Sequence, residues 1–245
     1  MEACILKTEE LSKSYGNTKI LKKIDFNMGK SDYVAVMGPS GAGKSTFLHM
    51  ISGMDRSSSG KVYIDGNELA HMTGKKIAAL RLKKIGMVFQ QPSLLPTLNL
   101  LDNVMLPAYM LKSESTENIN KLAIDLLTQF GIVEKKDSSI GTLSGGQLQR
   151  GCVARALINK PLILFADEPT GALNSDATNH VMEVLKTVND NGTAILIVTH
   201  DIKVAARAKR VVYLLDGVIK EQISFELNSA REDREKQIQC WMNKF

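Results

Sequence analysis

Tyr33-Val-Ala-Val-Met37 runs directly into Gly38, Pro39, Ser40, Gly41, Ala42, Gly43, Lys44, Ser45 and Thr46. An apolar run that breaks into glycine, then lysine and two hydroxyls, predicts a buried strand, a tight turn and a helix beginning near Lys44. The glycines let backbone N–H groups approach phosphate oxygens, and the helix directs its positive dipole end at the same place. Lys44 is expected to reach the β- and γ-phosphates, and Ser45 to offer its hydroxyl to Mg²⁺. The spacing GxxxxGK[ST] decides the fold class: α/β, a P-loop core with a mostly parallel sheet.

Two further apolar runs repeat the design. Pro161-Leu-Ile-Leu-Phe-Ala166 runs into Asp167 and Glu168, and Ala194-Ile-Leu-Ile-Val198 runs into Thr199 and His200. Near-continuous aliphatic runs suit strands covered on both faces. Ligands of open parallel sheets bind beyond the carboxyl ends of the strands, so these three ends are expected at one edge. Val211-Val-Tyr-Leu-Leu215, ending at Asp216-Gly217, predicts another strand. Leu21–Met28 and Lys61-Val-Tyr-Ile-Asp-Gly66 predict a β-rich opening third, expected as an antiparallel part. Between Pro92 and Lys160 the pattern turns helical, with Ile119, Leu122, Ala123, Leu126 and Leu127 at helical spacing. That block predicts an inserted helical lobe at about 92–160 within a domain spanning 1–225, followed by a short charged tail over 226–245.

A phosphate loop alone fits a kinase, a GTPase or many ATPases. Adjacent acids at a strand end need different tasks: Asp167 to neutralise a metal, Glu168 to polarise a water in line with the γ-phosphate. Leu143-Ser144-Gly145-Gly146-Gln147 places Ser144 and Gln147 as an S-x-x-Q capping box. The two glycines leave the amides at that helix start bare of side chains, and such an end can grip a phosphate.

Phosphate loop, LSGGQ and Ala166-Asp-Glu-Pro-Thr170 together resemble the nucleotide-binding subunit of an ABC transporter, over about residues 4–222. The resemblance implies ATP and Mg²⁺ as cofactors, with Ser45, Gln90 and Asp167 on the metal. It implies Tyr15 stacking on adenine, Gln90 sensing the γ-phosphate, and His200 contacting it beside the catalytic Glu168. It also implies a homodimer in which Ser144, Gly145, Gly146 and Gln147 face the ATP held by the other copy. A separate transmembrane permease is the implied partner, reached through Gln90–Leu111. One departure stands at Asn174, where the family usually has aspartate; hydrolysis is expected to survive and coupling between sites to change. Met54–Gly60, Phe89–Leu95, Leu101–Pro107 and Ala166–Ala172 resemble the bacterial subgroup of macrolide export, lipoprotein release and bacitracin-type peptide resistance. The tail Arg231-Glu-Asp-Arg-Glu-Lys236 with Trp241 resembles the peptide-resistance branch.

Composition agrees with this. The 245 residues carry 31 basic and 26 acidic side chains, a net charge of +5 that suits a polyanionic ligand or an anionic membrane. Lys75, Lys76, Arg81, Lys83 and Lys84 are expected on a solvated helix face. With aromatics at 5%, no nucleic-acid partner is expected. Cys4, Cys152 and Cys240 offer no CxxC pair or disulfide framework. No apolar run reaches the roughly 20 residues of a membrane span, and no signal peptide is evident. The expected location is cytoplasmic, on the inner face of the membrane through the permease. Rival readings are a non-transport ATPase of the same superfamily, such as a division regulator, and a nucleotide-gated binding module. A small-molecule kinase would leave LSGGQ unexplained.

Overall fold

A computed structural model describes residues 4–112, 114–171, 173–226 and 229–245. In chain order the elements are β1 (Cys4–Tyr15), β2 (Thr18–Gly29), β3 (Tyr33–Met37), α1 (Lys44–Ile51), β4 (Ser59–Ile64), β5 (Asn67–Glu68) and α2 (Gly74–Lys84). Then come β6 (Ile85–Val88), α3 (Leu100–Leu111), α4 (Thr116–Gln129), α5 (Gly145–Leu157), β7 (Ile163–Asp167) and α6 (Ser175–Asp190). The chain ends with β8 (Ala194–Val198), α7 (Ile202–Ala205), β9 (Arg210–Leu215), β10 (Val218–Ser224) and α8 (Arg231–Met242). The strands and helices expected from the apolar runs all form, with ends within a few residues of the sequence boundaries.

The chain divides into two compact units. The first comprises residues 1–77 and 194–245. Its antiparallel sheet runs β2-β1-β4-β5. A second group of strands runs β10-β9-β3-β8, in which β3 is parallel to both β8 and β9. β3 and β8 are buried at every position, as their unbroken aliphatic sequences require. Phe26 of β2 meets Phe47 of α1 edge to face, with ring centroids 5.5 Å apart, so α1 is packed against the antiparallel sheet. The charged tail is a helix too. α8 buries Ile238 and Trp241, and Trp241 joins Tyr213 of β9 and Phe245 in a three-ring cluster.

The second unit comprises residues 78–193. β6 and β7 pair in parallel, with Ile85 opposite Ile163 and Val88 opposite Ala166. α3, α4 and α5 pack on one another through Leu100, Val104, Ile119, Ala123, Leu127 and Val153, all nearly or wholly buried. α6 buries Val181, Met182 and Leu185, a helical repeat on one face. The side chain of Asn174 caps α6 by accepting from the Ala177 amide at 2.9 Å. Lys75, Lys76 and Lys83 on α2 are exposed, while Arg81 and Lys84 are half-buried.

Candidate active site

In the first unit, Gly38 follows β3 and His200 follows β8. Because Val36 lies opposite Val198 in a parallel register, both leave the sheet at the same edge. The Thr199 amide donates to Val36 O at 3.2 Å and fixes that edge. Pro39, Ser40 and Gly41 are exposed, whereas Ala42 is buried. Gly43 precedes α1 with φ of 99°, a left-handed conformation in which its missing Cβ would stand 2.9 Å from Leu21 Cδ2. Lys44, Ser45 and Thr46 then form the first turn of α1, and Lys44 Nζ donates to the carbonyls of Gly38 at 2.8 Å and Pro39 at 2.9 Å. The ammonium therefore sits across the loop rather than extending away from it, and the exposed Ser45 hydroxyl stands at the helix start.

The loop is braced from below by the β9–β10 turn. The Gly217 amide donates to Ala42 O at 3.2 Å, and Gly217 O accepts from the Lys22 amide at 2.8 Å. A Cβ on Gly217, whose φ is 77°, would lie 2.0 Å from Ile20 O. Only glycine fits between the loop and β2 there.

His200 is exposed between two fixed neighbours. Thr199, 3% exposed, accepts the Asp201 amide at its hydroxyl at 3.0 Å, and Asp201 caps α7 through the Lys203 amide at 2.7 Å. Tyr15, at the end of β1, is 51% exposed.

In the second unit the parallel pair β6–β7 does the same work. Gln90 follows β6, and Asp167 and Glu168 end β7 half-buried. Gln90 Nε2 donates to Glu168 Oε2 at 3.1 Å, bringing together two side chains 78 positions apart in sequence. Glu168 has φ of 43°, an uncommon conformation for a side-chain-bearing residue, and Gly171 N returns to its carbonyl at 3.1 Å.

The capping box read from the sequence is formed. Ser144 Oγ accepts from Gln147 N at 3.3 Å, and Gln147 Oε1 accepts from Ser144 N at 2.9 Å. Gly145, exposed, and Gly146, half-buried, form the first turn of α5, where backbone amides lack an acceptor from a preceding helical turn.

Several residues that support these groups gave no motif in the sequence. Gln149, 3% exposed on α5, donates to Phe89 O at 3.4 Å, immediately before Gln90. Arg155 of the same helix donates to Ser93 O at 2.8 Å and Ser93 Oγ at 2.7 Å, just after it. Burial pulls the Arg155 guanidinium below its ordinary range. Asn103, wholly buried, accepts from the Leu95 amide at 2.7 Å and donates to the carbonyls of Leu95, Leu98 and Asn99. The segment after Gln90 is thus held by side chains from α3 and α5.

A glycine-rich turn between a buried strand and a helix, with its lysine across the loop, defines a P-loop nucleoside triphosphatase. The family model described as ABC transporter matches residues 21–171. The chain belongs to the ABC transporter family, and it is an ATPase of that family. It is 41% identical over 218 residues to the lipoprotein-releasing system ATP-binding protein LolD of Leptospira interrogans, covering 89% of this chain and 91% of that one. It is 38% identical over 240 residues to the macrolide export ATP-binding/permease protein MacB of Bdellovibrio bacteriovorus. That match covers 94% of this chain and 36% of the longer protein. Among solved structures, the ATP-binding cassette MJ0796 in a dimeric post-hydrolysis state bound to ADP and Pi superposes with a TM-score of 0.86 at 36% identity. It covers 91% of this chain and 99% of that one.

Proposed function

We propose that two copies of this chain close head to tail around two Mg·ATP and drive a separate membrane permease of the macrolide-export and lipoprotein-release kind. The observation that carries the reading is the Gln90–Glu168 hydrogen bond at the ends of β6 and β7, which couples a polar amide to the expected base. In this reading Gly38, Pro39, Ser40, Gly41, Ala42, Gly43, Lys44, Ser45 and Thr46 hold the triphosphate, and Tyr15 carries the adenine. Glu168 polarises the attacking water, while His200 and Gln90 contact the γ-phosphate. Ser144, Gly145, Gly146 and Gln147 supply the capped end of α5 to the partner's nucleotide.

Mg²⁺ fits the donor chemistry. The described residues contain no cluster of three or more His, Cys, Asp or Glu side chains able to hold a metal by themselves. Mg²⁺ does not need one, because it binds through one or two protein oxygens plus substrate phosphates and water. Ser45, Asp167 and Gln90 are its proposed ligands; the ion would neutralise developing phosphate charge.

No helix among the described residues is long and apolar enough to cross a membrane. The proposed location is the cytoplasmic face of the membrane, through the permease, with no nucleic-acid partner. Residues 1–225 form the proposed cassette, with an inserted lobe at about 92–160 and an appended tail over 226–245. Peptide resistance is the narrower proposal, supported by the tail sequence around Arg231–Lys236 and Trp241. The relatives named above are lipoprotein-release and macrolide-export proteins, and support the subgroup as a whole.

Light scattering tests the dimer. The Glu168→Gln variant should double in mass when Mg·ATP is added, and adding Ser144→Arg, which blocks the end of α5, should abolish the doubling. A monomer at saturating Mg·ATP with Ser144 intact would remove the head-to-tail reading.

A further inference from the structure

The ring of Tyr15 is exposed, yet its position is held more firmly than its exposure suggests. Its hydroxyl donates to Asp55 Oδ2 at 2.8 Å. The same carboxylate oxygen pairs with Lys13 Nζ at 2.7 Å. Lys13, only 8% exposed, also donates to Arg56 O at 2.7 Å, and its ammonium stands over the Tyr15 ring 4.7 Å from the centroid. The second carboxylate oxygen of Asp55 accepts the Arg56 amide at 2.7 Å. One face of the ring is therefore covered by a fixed cation, and the ring plane is tethered through its hydroxyl.

The anchor is itself tied to the phosphate loop. Met54 and Asp55 amides both donate to His49 O, at 2.9 Å and 3.2 Å, near the C-terminal end of α1. α1 begins at Lys44, inside the loop. A second stitch joins the strand: Ser58 N donates to Ser12 O at 2.9 Å, and Ser58 Oγ accepts Ser14 N at 3.0 Å. The distance between aromatic ring and phosphate loop is thus set by one short helix and two hydrogen-bonded seams.

We propose that Lys13 and Asp55 are positioning residues for the nucleoside base, Asp55 holding the Tyr15 ring by its hydroxyl and Lys13 closing one face so that the base stacks on the other. This inference rests on the reading of Tyr15 as the platform for the base. A tethered ring loses little rotamer freedom when a base lands on it, so part of the ordering cost is met before binding. The ammonium adds a cation–π attraction that favours the same ring orientation. Because stacking reads only a π-face, the arrangement recognises that a base is present rather than which one it is. The expected ligand class is a nucleoside triphosphate, with ATP and GTP affected alike.

The test is equilibrium binding of Mg·ATP, Mg·GTP and Mg·tripolyphosphate to the full chain by titration calorimetry, with kcat and KM for ATP alongside. Tyr15→Ala reports on the platform. Tyr15→Phe removes only the tether from an exposed ring and leaves the fold intact. Asp55→Asn strips the anchor of its charge, leaving an amide oxygen as a weaker acceptor, and Lys13→Met removes the cation. We expect Tyr15→Phe, Asp55→Asn and Lys13→Met each to weaken ATP and GTP by about three- to tenfold, raise KM with kcat retained, and leave tripolyphosphate unchanged. If Tyr15→Ala weakens ATP but Tyr15→Phe and Asp55→Asn match the native chain, the positioning inference fails and the platform reading stands. If Tyr15→Ala leaves ATP affinity unchanged, the platform reading fails and the inference with it. Equal weakening of tripolyphosphate would show that Lys13 and Asp55 merely hold the phosphate loop, and would also overturn the inference.

Discussion

Replacing Glu168 by glutamine changes one atom in kind and leaves almost everything else in place. The side chain keeps its length, and its amide oxygen can still accept Gln90 Nε2 at the distance now seen, 3.1 Å. The backbone stays at φ of 43°, which costs glutamine the same as glutamate. What is lost at the bond from the exposed Gln90 is charge assistance, about 1 kcal/mol or less. What is lost chemically is the proton acceptor for the attacking water, typically about 10²- to 10⁴-fold in rate, or about 3–5 kcal/mol of barrier. Because the chemical loss exceeds the structural one, Glu168→Gln should melt within a few degrees of the native chain and bind ATP with similar affinity. It should release phosphate at least about a hundredfold more slowly. Phosphate release at saturating Mg·ATP measures the rate, and calorimetry the affinity. Turnover within threefold of the native chain, with the fold intact, would refute the assignment of Glu168 as the base.

Gly217→Ala should lower the melting temperature and weaken ATP, because its Cβ would lie 2.0 Å from Ile20 O and must displace the turn that holds Ala42; unchanged ATP affinity would disconnect that turn from the loop. Asn103→Ala should cost about 3 kcal/mol in chemical denaturation, since the Leu95 amide and three carbonyls lose their side-chain partner in a buried setting. Asn174→Asp preserves the cap on Ala177 and adds a negative charge at the start of α6, so it should raise stability by about 0.5 kcal/mol. Hydrolysis should continue with altered cooperativity, and identical rate and cooperativity would deny Asn174 a part in coupling. Asp55 is held below its ordinary pKa by Lys13 first, then by the Tyr15 hydroxyl and the Arg56 amide. A depressed carboxylate stabilises above its unfolded pKa and loses that contribution as pH falls through its folded one. Melting curves below about pH 4 should therefore fall less steeply for Asp55→Asn than for the native chain.

The residues expected to be catalytic are conspicuous in the sequence because each sits where a buried strand stops. Tyr33–Met37, Ile163–Ala166 and Ala194–Val198 are apolar throughout, so the polar residue that follows each one is conspicuous. The box at Ser144 and Gln147 was legible for a different reason: both partners lie within one helical turn. Gln149, Arg155 and Asn103 were not legible, because apart from the Ser93 hydroxyl their partners are backbone atoms of residues 89–99, and a backbone atom carries no sequence signature. Lys13 and Asp55 are 42 positions apart and look like two ordinary surface charges until the β1 strand and the end of α1 are placed together. The tail read as short and charged, and the fold alone shows Trp241 packed on Tyr213.

That packing makes the molecule optically self-reporting. Trp241 is the chain's single tryptophan, 5% exposed, with its indole N–H donating to Glu221 of β10. Its emission therefore arises from one seat, where α8 rests against the β9–β10 hairpin. A red shift on adding a ligand or a membrane partner would register release of the last helix alone, without any attached dye.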